Sequence, residues 1–383
     1  MELPFTLPTY DERLRRVRAR MTAQGLDGLV VTMPDVVNWL TGVSSVGYLW
    51  PQALVIDSGD GEPEYVTRTT EEPGVHMLSW LRSPRVYDIA TQDPIEVIAE
   101  SVRKHGLDQA TVGVELEAFT LLPGNWDRLR ALLPGVRWVD ASHLVPEERL
   151  IKSAAEIAYQ RQAAEMADYA MEQVFAAVRP GVSETALAGI ASQALGEAGS
   201  EFAAIPPMVV SGERSALVHA MASRRTLSRG DVVCIEFAGV VHRYHAVLMR
   251  TAVVGQPSPR VQEVADCVER ATEAAIAASG PGAPAPAPDD ACNAVLGELD
   301  LVRRRCHRIG YSLGVAYPPG WLEPMTLVAG DEHVLAPGMS FTIEPNLHLP
   351  DEGFGMKMGD TVLCTPDGAR SFSKLPHTLH IAD

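Results

Sequence analysis

The stretch GDVVCIE, residues 230–236, begins with a turn and runs through four apolar residues to a glutamate. Short apolar runs rich in β-branched residues are typical of buried strands, so the pattern predicts a strand over residues 232–235 with Glu236 near its end. Burying a carboxylate costs several kcal/mol unless a partner compensates its charge. Glu236 is therefore a candidate nucleophile or general base; the alternative is a carboxylate satisfied by backbone N–H groups.

Further motifs flank this strand in the sequence. SGERSALVH precedes it at residues 211–219, RYH follows at residues 243–245, and Arg250-Thr251 comes next. Together these motifs resemble the creatinase/aminopeptidase P/prolidase family, also called the M24 or pita-bread family. The resemblance implies an α/β (α+β) fold, a catalytic histidine at His219 and a homodimer.

Two domains are expected from the 383 residues. Alternating helix and strand patterns run to residues 139–140, which predicts a small N-terminal mixed α/β creatinase-type domain over residues 1–147. RLIKS at residues 149–153 resembles the family's domain boundary. A long helix from about residue 154 then opens the expected C-terminal pita-bread catalytic domain, residues 148–383.

The metal ligands of the family are largely missing from this chain. Most peptidases of the family hold two metal ions with Asp, Asp, His, Glu and Glu. Valine and glycine offer no donor atom, and a neutral tyrosine is a poor replacement for imidazole. The replaced ligands therefore predict no metal and no other cofactor. The five ligand positions fall on Glu236, Val247, Tyr311, Glu344 and Gly359.

Glu344 and Glu236 are expected to lie close together if the fold is that of the family. Two adjacent carboxylates cannot both ionise freely without a cation between them. A cationic substrate with a guanidinium or amidinium group would supply that charge. The alternative is one remaining metal held by Glu236, Glu344 and His219.

Histidine suits a proton shuttle because its unperturbed pKa lies near neutral pH, so His219 is a candidate catalytic residue. Tyr311 is a candidate third catalytic residue, whose hydroxyl would support a developing charge. We expect Tyr244 to hydrogen-bond the substrate alongside Glu344. The candidate aromatic walls for a cationic group are Trp321, Tyr317 and Trp50.

Two sequence details favour one branch of the resembled family. EFAG at residues 236–239 followed by RYH, and GYSLGVAYPPGW at residues 310–321, resemble the patterns of ectoine hydrolases. Those enzymes and creatinases are metal-independent and cleave amidine or guanidino C–N bonds. The expected function is hydrolysis of such a bond in a small cationic or zwitterionic compound. The alternatives are a divergent X-Pro dipeptidase and a non-catalytic binding module.

A substrate carboxylate would require an arginine, and Arg214, Arg243 and Arg250 are the candidates that the motifs offer. The sequence does not choose among them. His242 and His245 resemble a metal-binding pair, but residues i and i+3 of a strand point to opposite faces. GYSLG at residues 310–314 matches a serine nucleophile motif, yet prolines follow where that motif requires a helix.

The net charge of −17 disfavours nucleic acid and anionic membranes as partners. The sequence has no apolar run of about 18 residues and no recognisable signal peptide, and its five cysteines form no CxxC pair. We therefore expect a cytoplasmic protein with reduced cysteines that acts on a small molecule.

Overall fold

The computed structural model describes residues 3–305 and 307–383, and these residues form two compact units. The first unit ends at Arg149 and the second begins at Leu150. The sequence predicted the boundary after residue 147.

The first unit contains one mixed sheet covered by helices. Its strand order is β4-β3-β2-β1-β5-β6, with β1 antiparallel to β2 and parallel to β5. Apolar residues of the sheet and of α4 form the core of this unit. The helices are α1 (Leu7–Ala23), α2 (Pro34–Thr41), α3 (Glu72–Leu78), α4 (Pro94–Lys104), α5 (Pro123–Leu132) and α6 (Leu144–Glu148). The strands are β1 (Gly28–Val31), β2 (Ala53–Asp57), β3 (Glu64–Arg68), β4 (Arg85–Tyr87), β5 (Thr111–Val114) and β6 (Arg137–Asp140).

The second unit is built on a larger, mainly antiparallel sheet with helices packed against it. Its helices are α7 (Ala154–Ala177), α8 (Glu184–Glu197), α9 (Pro259–Ala277) and α10 (Ala287–Leu296). Its strands are β7 (Met208–Ser211), β8 (Val232–Val241), β9 (Tyr244–Val254), β10 (Tyr311–Tyr317), β11 (Gly320–Thr326), β12 (Ser340–Ile343), β13 (Leu347–Leu349), β14 (Phe354–Met356), β15 (Gly359–Thr365), β16 (Gly368–Ser371) and β17 (His380–Ala382).

The strand order of the larger sheet is β11-β10-β12-β15-β9-β8-β7, with β16 beside β15 and β17 beside β9. The centre is the hairpin β8–β9, in which Val241 pairs with Tyr244 and Glu236 with Met249. The sequence predicted a strand over residues 232–235 with Glu236 near its end. The strand continues because FAGVV extends the apolar run to residue 241, so Glu236 lies in its middle.

The long helix predicted from about residue 154 is confirmed as α7. Ser153 and Glu156 form a capping box at its N-terminus, which satisfies two backbone donors of the first turn. The helix packs closely on β8 at Gly239. A Cβ added at this residue would stand 1.9 Å from the carbonyl oxygen of Ala163. Only glycine fits at this crossing.

No helix in the described part of the chain is long and apolar enough to span a membrane. Four of the cysteines, Cys234, Cys267, Cys292 and Cys364, are free and buried, while Cys306 lies outside the described residues. The homodimer and the cytoplasmic location stay predictions.

Candidate active site

A cavity of about 480 Å³ opens over the middle of the larger sheet in the second unit. Its floor and walls come from β7, β8, β9, β10 and β11, from the segment between β7 and β8, and from the loops that flank β10, β12 and β14. The polar residues that line it are His219, Glu236, His307, Arg308, Tyr311, Glu344, Asn346 and Lys357. Apolar side chains, among them Met208, Met249 and Trp321, complete the lining.

A row of residues across the sheet explains why these side chains meet. Met208, Glu236 and Met249 are direct neighbours on β7, β8 and β9, and Gly359 of β15 pairs with Met249. Glu344 follows β12 directly, next to the pair Ile343–Asp360. Residues in register on adjacent strands point to the same face, so the two glutamates predicted to be close do share this cavity.

Lys357 forms a buried ion pair with Glu236. Its Nζ lies 2.6 Å from Oε2 of Glu236 and donates a second hydrogen bond, of 2.7 Å, to the carbonyl oxygen of Val218. The side chains of Lys357 and Glu236 are only 3% and 6% exposed. The expectation that positive charge reaches this cleft only with a substrate is therefore wrong, because the chain supplies an ammonium group itself.

Glu344 is the carboxyl group of the pair whose pKa is shifted upward. Burial raises its pKa well above the usual range, and the nearby Glu236 charge raises it further. Its Oε2 is buried without a hydrogen-bond partner among the described residues. Nδ1 of His307 lies 3.9 Å from Oε1, but burial lowers the pKa of His307 to about 4, so that ring is neutral. The two glutamates thus differ in environment, because Glu236 is paired with a cation and Glu344 has a raised pKa.

Tyr311 and Trp321 form the polar and aromatic wall of the cavity. The indole Nε1–H of Trp321 donates a 2.8 Å hydrogen bond to the Tyr311 hydroxyl. Burial raises the pKa of Tyr311 well above its ordinary value, so the phenol is neutral and retains its own proton for donation. A glycine must precede Tyr311, because a Cβ at Gly310 would stand 1.8 Å from the carbonyl oxygen of Thr342.

His219 lies on an exposed loop at the mouth of the cavity. Its ring is stacked near that of His307, with centroids 6.5 Å apart. An exposed imidazole beside a buried site can exchange protons with solvent, which is the property a proton shuttle needs.

Tyr244 and Tyr317 do not line the cavity, which corrects the expectation that they bind the substrate. The hydroxyl of Tyr244 donates a 2.6 Å hydrogen bond to Glu156 Oε1, at the N-terminus of α7. Because Val247 and Met249 of the same strand face the cavity side, Tyr244 points to the opposite face of the sheet. The ring of Tyr317 packs against the guanidinium of Arg243, at a distance of 4.7 Å.

Trp50 belongs to the first unit, where the guanidinium of Arg68 lies 3.7 Å from the centre of its ring. The three candidate carboxylate-binding arginines also have structural partners. Arg214 pairs with Glu184, and Arg250 pairs with the buried Asp360. The guanidinium of Arg243 donates to the carbonyl oxygens of Phe202 and Ala316.

The five positions that bind metal in the resembled peptidases do not form a metal site here. No group of three or more His, Cys, Asp or Glu side chains in the described ranges has the geometry for an ion. Val247 packs with Tyr311 and Trp321 in an apolar cluster. At Gly359, an added Cβ would stand 2.8 Å from the carbonyl oxygen of Ile343. The donor set fits neither two metals nor the one-metal alternative, because Lys357 occupies the cationic position beside Glu236.

Sequence reasoning missed four polar residues of the cavity, namely the two cationic side chains Lys357 and Arg308 and the neutral His307 and Asn346. Lys357 is a lysine in the otherwise apolar segment FGMKMG, residues 354–359, two positions before the vacated ligand position Gly359. Residues i and i+2 of an extended chain share a face, so this spacing contained a usable signal. Arg308 stands three residues before Tyr311 in a loop, where no periodicity indicates its direction.

The two motifs set aside on sequence grounds carry no site in the structure. Ser312 lies within β10, followed by further strand rather than a helix, and its hydroxyl donates to the carbonyl oxygen of Met325. His242 lies in the hairpin turn with a positive φ. His245 is buried and accepts a hydrogen bond from the backbone of Ala204, and burial lowers its pKa to about 3.

Comparison with known proteins covers the whole chain. Residues 158–366 match the metallopeptidase family M24, and residues 13–151 match the creatinase/prolidase N-terminal domain. An ectoine hydrolase from Halomonas elongata is 28% identical over 399 residues, spanning 100% of this chain and 99% of the relative. An Xaa-Pro dipeptidase from Pyrococcus furiosus is 26% identical over 373 residues, or 96% and 99% of the two chains. The crystal structure of dipeptidase PepE from Mycobacterium ulcerans superposes with a TM-score of 0.86 at 29% identity, over 98% and 99% of the two chains. The relatives thus include an ectoine hydrolase and dipeptidases, so similarity alone does not distinguish these activities for this chain.

Proposed function

We propose, from the premise that this chain belongs to the metallopeptidase family M24, that it is a hydrolase that cleaves a C–N bond without a metal ion. The substrate class is a small zwitterionic amidine or guanidino compound, as in ectoine or creatine. The observation that carries the proposal is the buried ion pair between Lys357 and Glu236. An ammonium group takes over the charge compensation that metal ions provide in the peptidases.

Glu236 is the group that acts on the electron-poor carbon, either as a nucleophile or by activating a water molecule. Lys357 neutralises its charge without occupying both carboxylate oxygens, because the 2.6 Å contact involves Oε2. An ionised carboxylate next to a neutral one is the division of roles that acid–base chemistry at a single carbon requires.

Three other residues complete the mechanism. Glu344, protonated in the empty site, lies where it can donate to the reacting group or release its proton when a cation binds. His219 carries the proton to the leaving nitrogen from the exposed side of the cavity. The Tyr311 hydroxyl supports charge that develops on the attacked carbon's substituents, and the Trp321 ring flanks the planar C–N group.

Hydrolysis of ectoine and creatine, followed by mass spectrometry, tests this function. We expect ring opening of an amidine or release of urea from a guanidino acid by protein that has been treated with EDTA. Activity on glycyl-proline that appears only after manganese is added would establish the dipeptidase alternative instead. Calorimetric binding without any product would identify a binding module.

Glu236→Gln is expected to abolish turnover, but it also leaves the Lys357 ammonium buried without a partner. The double variant Glu236→Gln/Lys357→Met removes both charges together and is the matched control for folding. Turnover by the folded double variant would exclude the role of Glu236.

A further inference from the structure

Arg308 is an arginine of the second unit that lines the cavity. Among the residues that the structure describes, its side chain makes no hydrogen bond or ion pair, and its Nε is buried without a partner. Neighbouring Arg304 and Arg305, by contrast, pair with Asp351 and Asp289. A buried donor without a partner costs free energy, which a ligand acceptor would recover.

Among the described residues, Arg308 is a cation of the cavity lining that forms no ion pair, whereas Lys357 is already bonded to Glu236. The guanidinium lies close enough to Glu344 to lower the pKa of that carboxyl, although burial and the Glu236 charge raise the pKa well above its usual range. A ligand carboxylate with one negative charge would give Arg308 a direct counter-ion.

The orientation of the guanidinium is held by an aromatic ring. The Cζ of Arg308 lies 4.9 Å from the centre of the Tyr311 ring, the residue whose hydroxyl is bonded to Trp321. Stacking of this kind fixes the plane of the guanidinium while leaving its N–H groups free to bind a ligand. A planar carboxylate matches such a fork with two parallel hydrogen bonds.

We propose that Arg308 binds a carboxylate of the substrate, so that the enzyme selects amidines or guanidines that carry a carboxylate group close to the reacting carbon. This inference rests on the proposed function, to which it adds the residue that binds the negative group of the zwitterion. Methionines 208 and 249 line the apolar part of the cavity that would hold the body of such a compound.

Calorimetric titration of the full-length protein with ectoine and with its carboxamide tests the assignment. Hydrogen bonds to charged groups are worth about 1.5–3 kcal/mol, so the wild type is expected to bind the carboxylate about 10- to 100-fold more tightly than the amide. Arg308→Gln is expected to remove this preference and to raise KM more than it lowers kcat. Arg308→Lys should retain part of it, since lysine keeps the charge without the fork. Arg303→Gln, an exposed arginine of the same segment, is the control for loss of one charge.

Equal binding of acid and amide by the wild type overturns the proposal, even if Arg308→Gln fails to fold. An unchanged preference in folded Arg308→Gln overturns it too. Ectoine that is cleaved without any carboxylate preference would remove the role of Arg308 and leave the proposed function standing. If the protein binds ectoine more tightly than the amide but never cleaves it, the role of Arg308 stands and the proposed function is overturned. Failure to bind both ectoine and creatine would overturn both the role of Arg308 and the proposed function.

Discussion

The ammonium of Lys357 and the carboxylate of Glu236 are 121 residues apart in the chain and 2.6 Å apart in the fold. The contact joins the loop after β14 to the middle of β8 and lies on the floor of the cavity. It places the positive charge on the protein and makes it independent of any ligand. A site arranged in this way can keep a carboxylate ionised in apolar surroundings before the substrate arrives.

Lys357→Met is expected to reduce both stability and activity, because it leaves the Glu236 carboxylate buried without a counter-ion. Removing one partner of a buried ion pair typically costs about 3–5 kcal/mol. Urea denaturation would measure the loss, and turnover of ectoine or creatine would measure the effect on catalysis.

The double variant Glu236→Gln/Lys357→Met distinguishes this explanation from a general packing defect. It should recover most of the lost stability while remaining inactive, because no unpaired charge is left. A double variant as unstable as Lys357→Met would contradict the assigned ion pair.

Binding of a cationic amidinium is expected to release a proton from Glu344. The pKa of this carboxyl is raised by burial and by the Glu236 charge, and a cation beside it would lower the pKa again. The affinity for the amidinium should therefore rise as the pH increases toward the raised pKa of Glu344 in the ligand-free protein. Calorimetry in buffers of different ionisation enthalpy would count the protons released.

Glu344→Gln should bind the same compound with no such proton release, since an amide does not titrate at these pH values. Proton release that persists in Glu344→Gln would assign the titration to a group other than Glu344.

Replacement of Tyr311 by Phe is expected to lower kcat by about 10²-fold, the usual effect of removing one donor to a developing charge. The change also leaves the Trp321 N–H without its acceptor, at a cost of about 1–3 kcal/mol in stability. Steady-state kinetics and denaturation curves would separate the two effects.

Tyr244→Phe is the matched control, because it removes a buried hydroxyl of the same sheet that bonds Glu156 outside the cavity. It should cost about 1 kcal/mol of stability and leave kcat and KM unchanged. A specific loss of affinity in Tyr244→Phe would restore the substrate-binding role that the sequence suggested.

Most of the fold and part of the site could be predicted from local patterns. Glu236, Tyr311 and Glu344 stand at ligand positions of the resembled family, so their common location followed from the fold that the resemblance implies. The sequence assigned Tyr244 to the cavity wrongly, because a motif does not indicate which face of a strand a side chain occupies. The spacing between Tyr244 and Val247 does indicate it, since residues three apart on a strand point to opposite faces. Tyr317 lies about 20 Å along β10 from Tyr311, at about 3.3 Å per residue, and its ring meets Arg243 instead of the cavity.

The partners of the charged groups could not be read from the sequence in the same way. Lys357 and Glu236 come together only through the pairing of strands far apart in the chain, and Arg308 projects from a loop. Charge balance required a cation beside the two glutamates, and that requirement was correct. Charge balance did not indicate where the cation comes from, because a lysine of the chain and a bound ligand satisfy the requirement equally well.

The first unit offers an independent test of electrostatics through Glu115. Its Oε2 accepts hydrogen bonds from the backbone N–H groups of Thr32 and Met33, at 2.7 and 2.9 Å, at the start of α2. Burial raises the pKa of Glu115 to about 7, and the nearby Asp35 charge adds to this. The folded chain therefore keeps a proton that the unfolded chain releases above its ordinary pKa of 4.5. The stabilisation from this proton is complete below that pH and is lost as the pH rises through about 7, by about 3 kcal/mol in total.

Glu115→Gln keeps the acceptor oxygen without the titration, so its unfolding free energy should lose this pH dependence. Urea denaturation at several values between pH 4.5 and 7.5 measures it, with the exposed Glu117→Gln as the control. A pH slope in Glu115→Gln equal to that of the wild type would show that another group titrates.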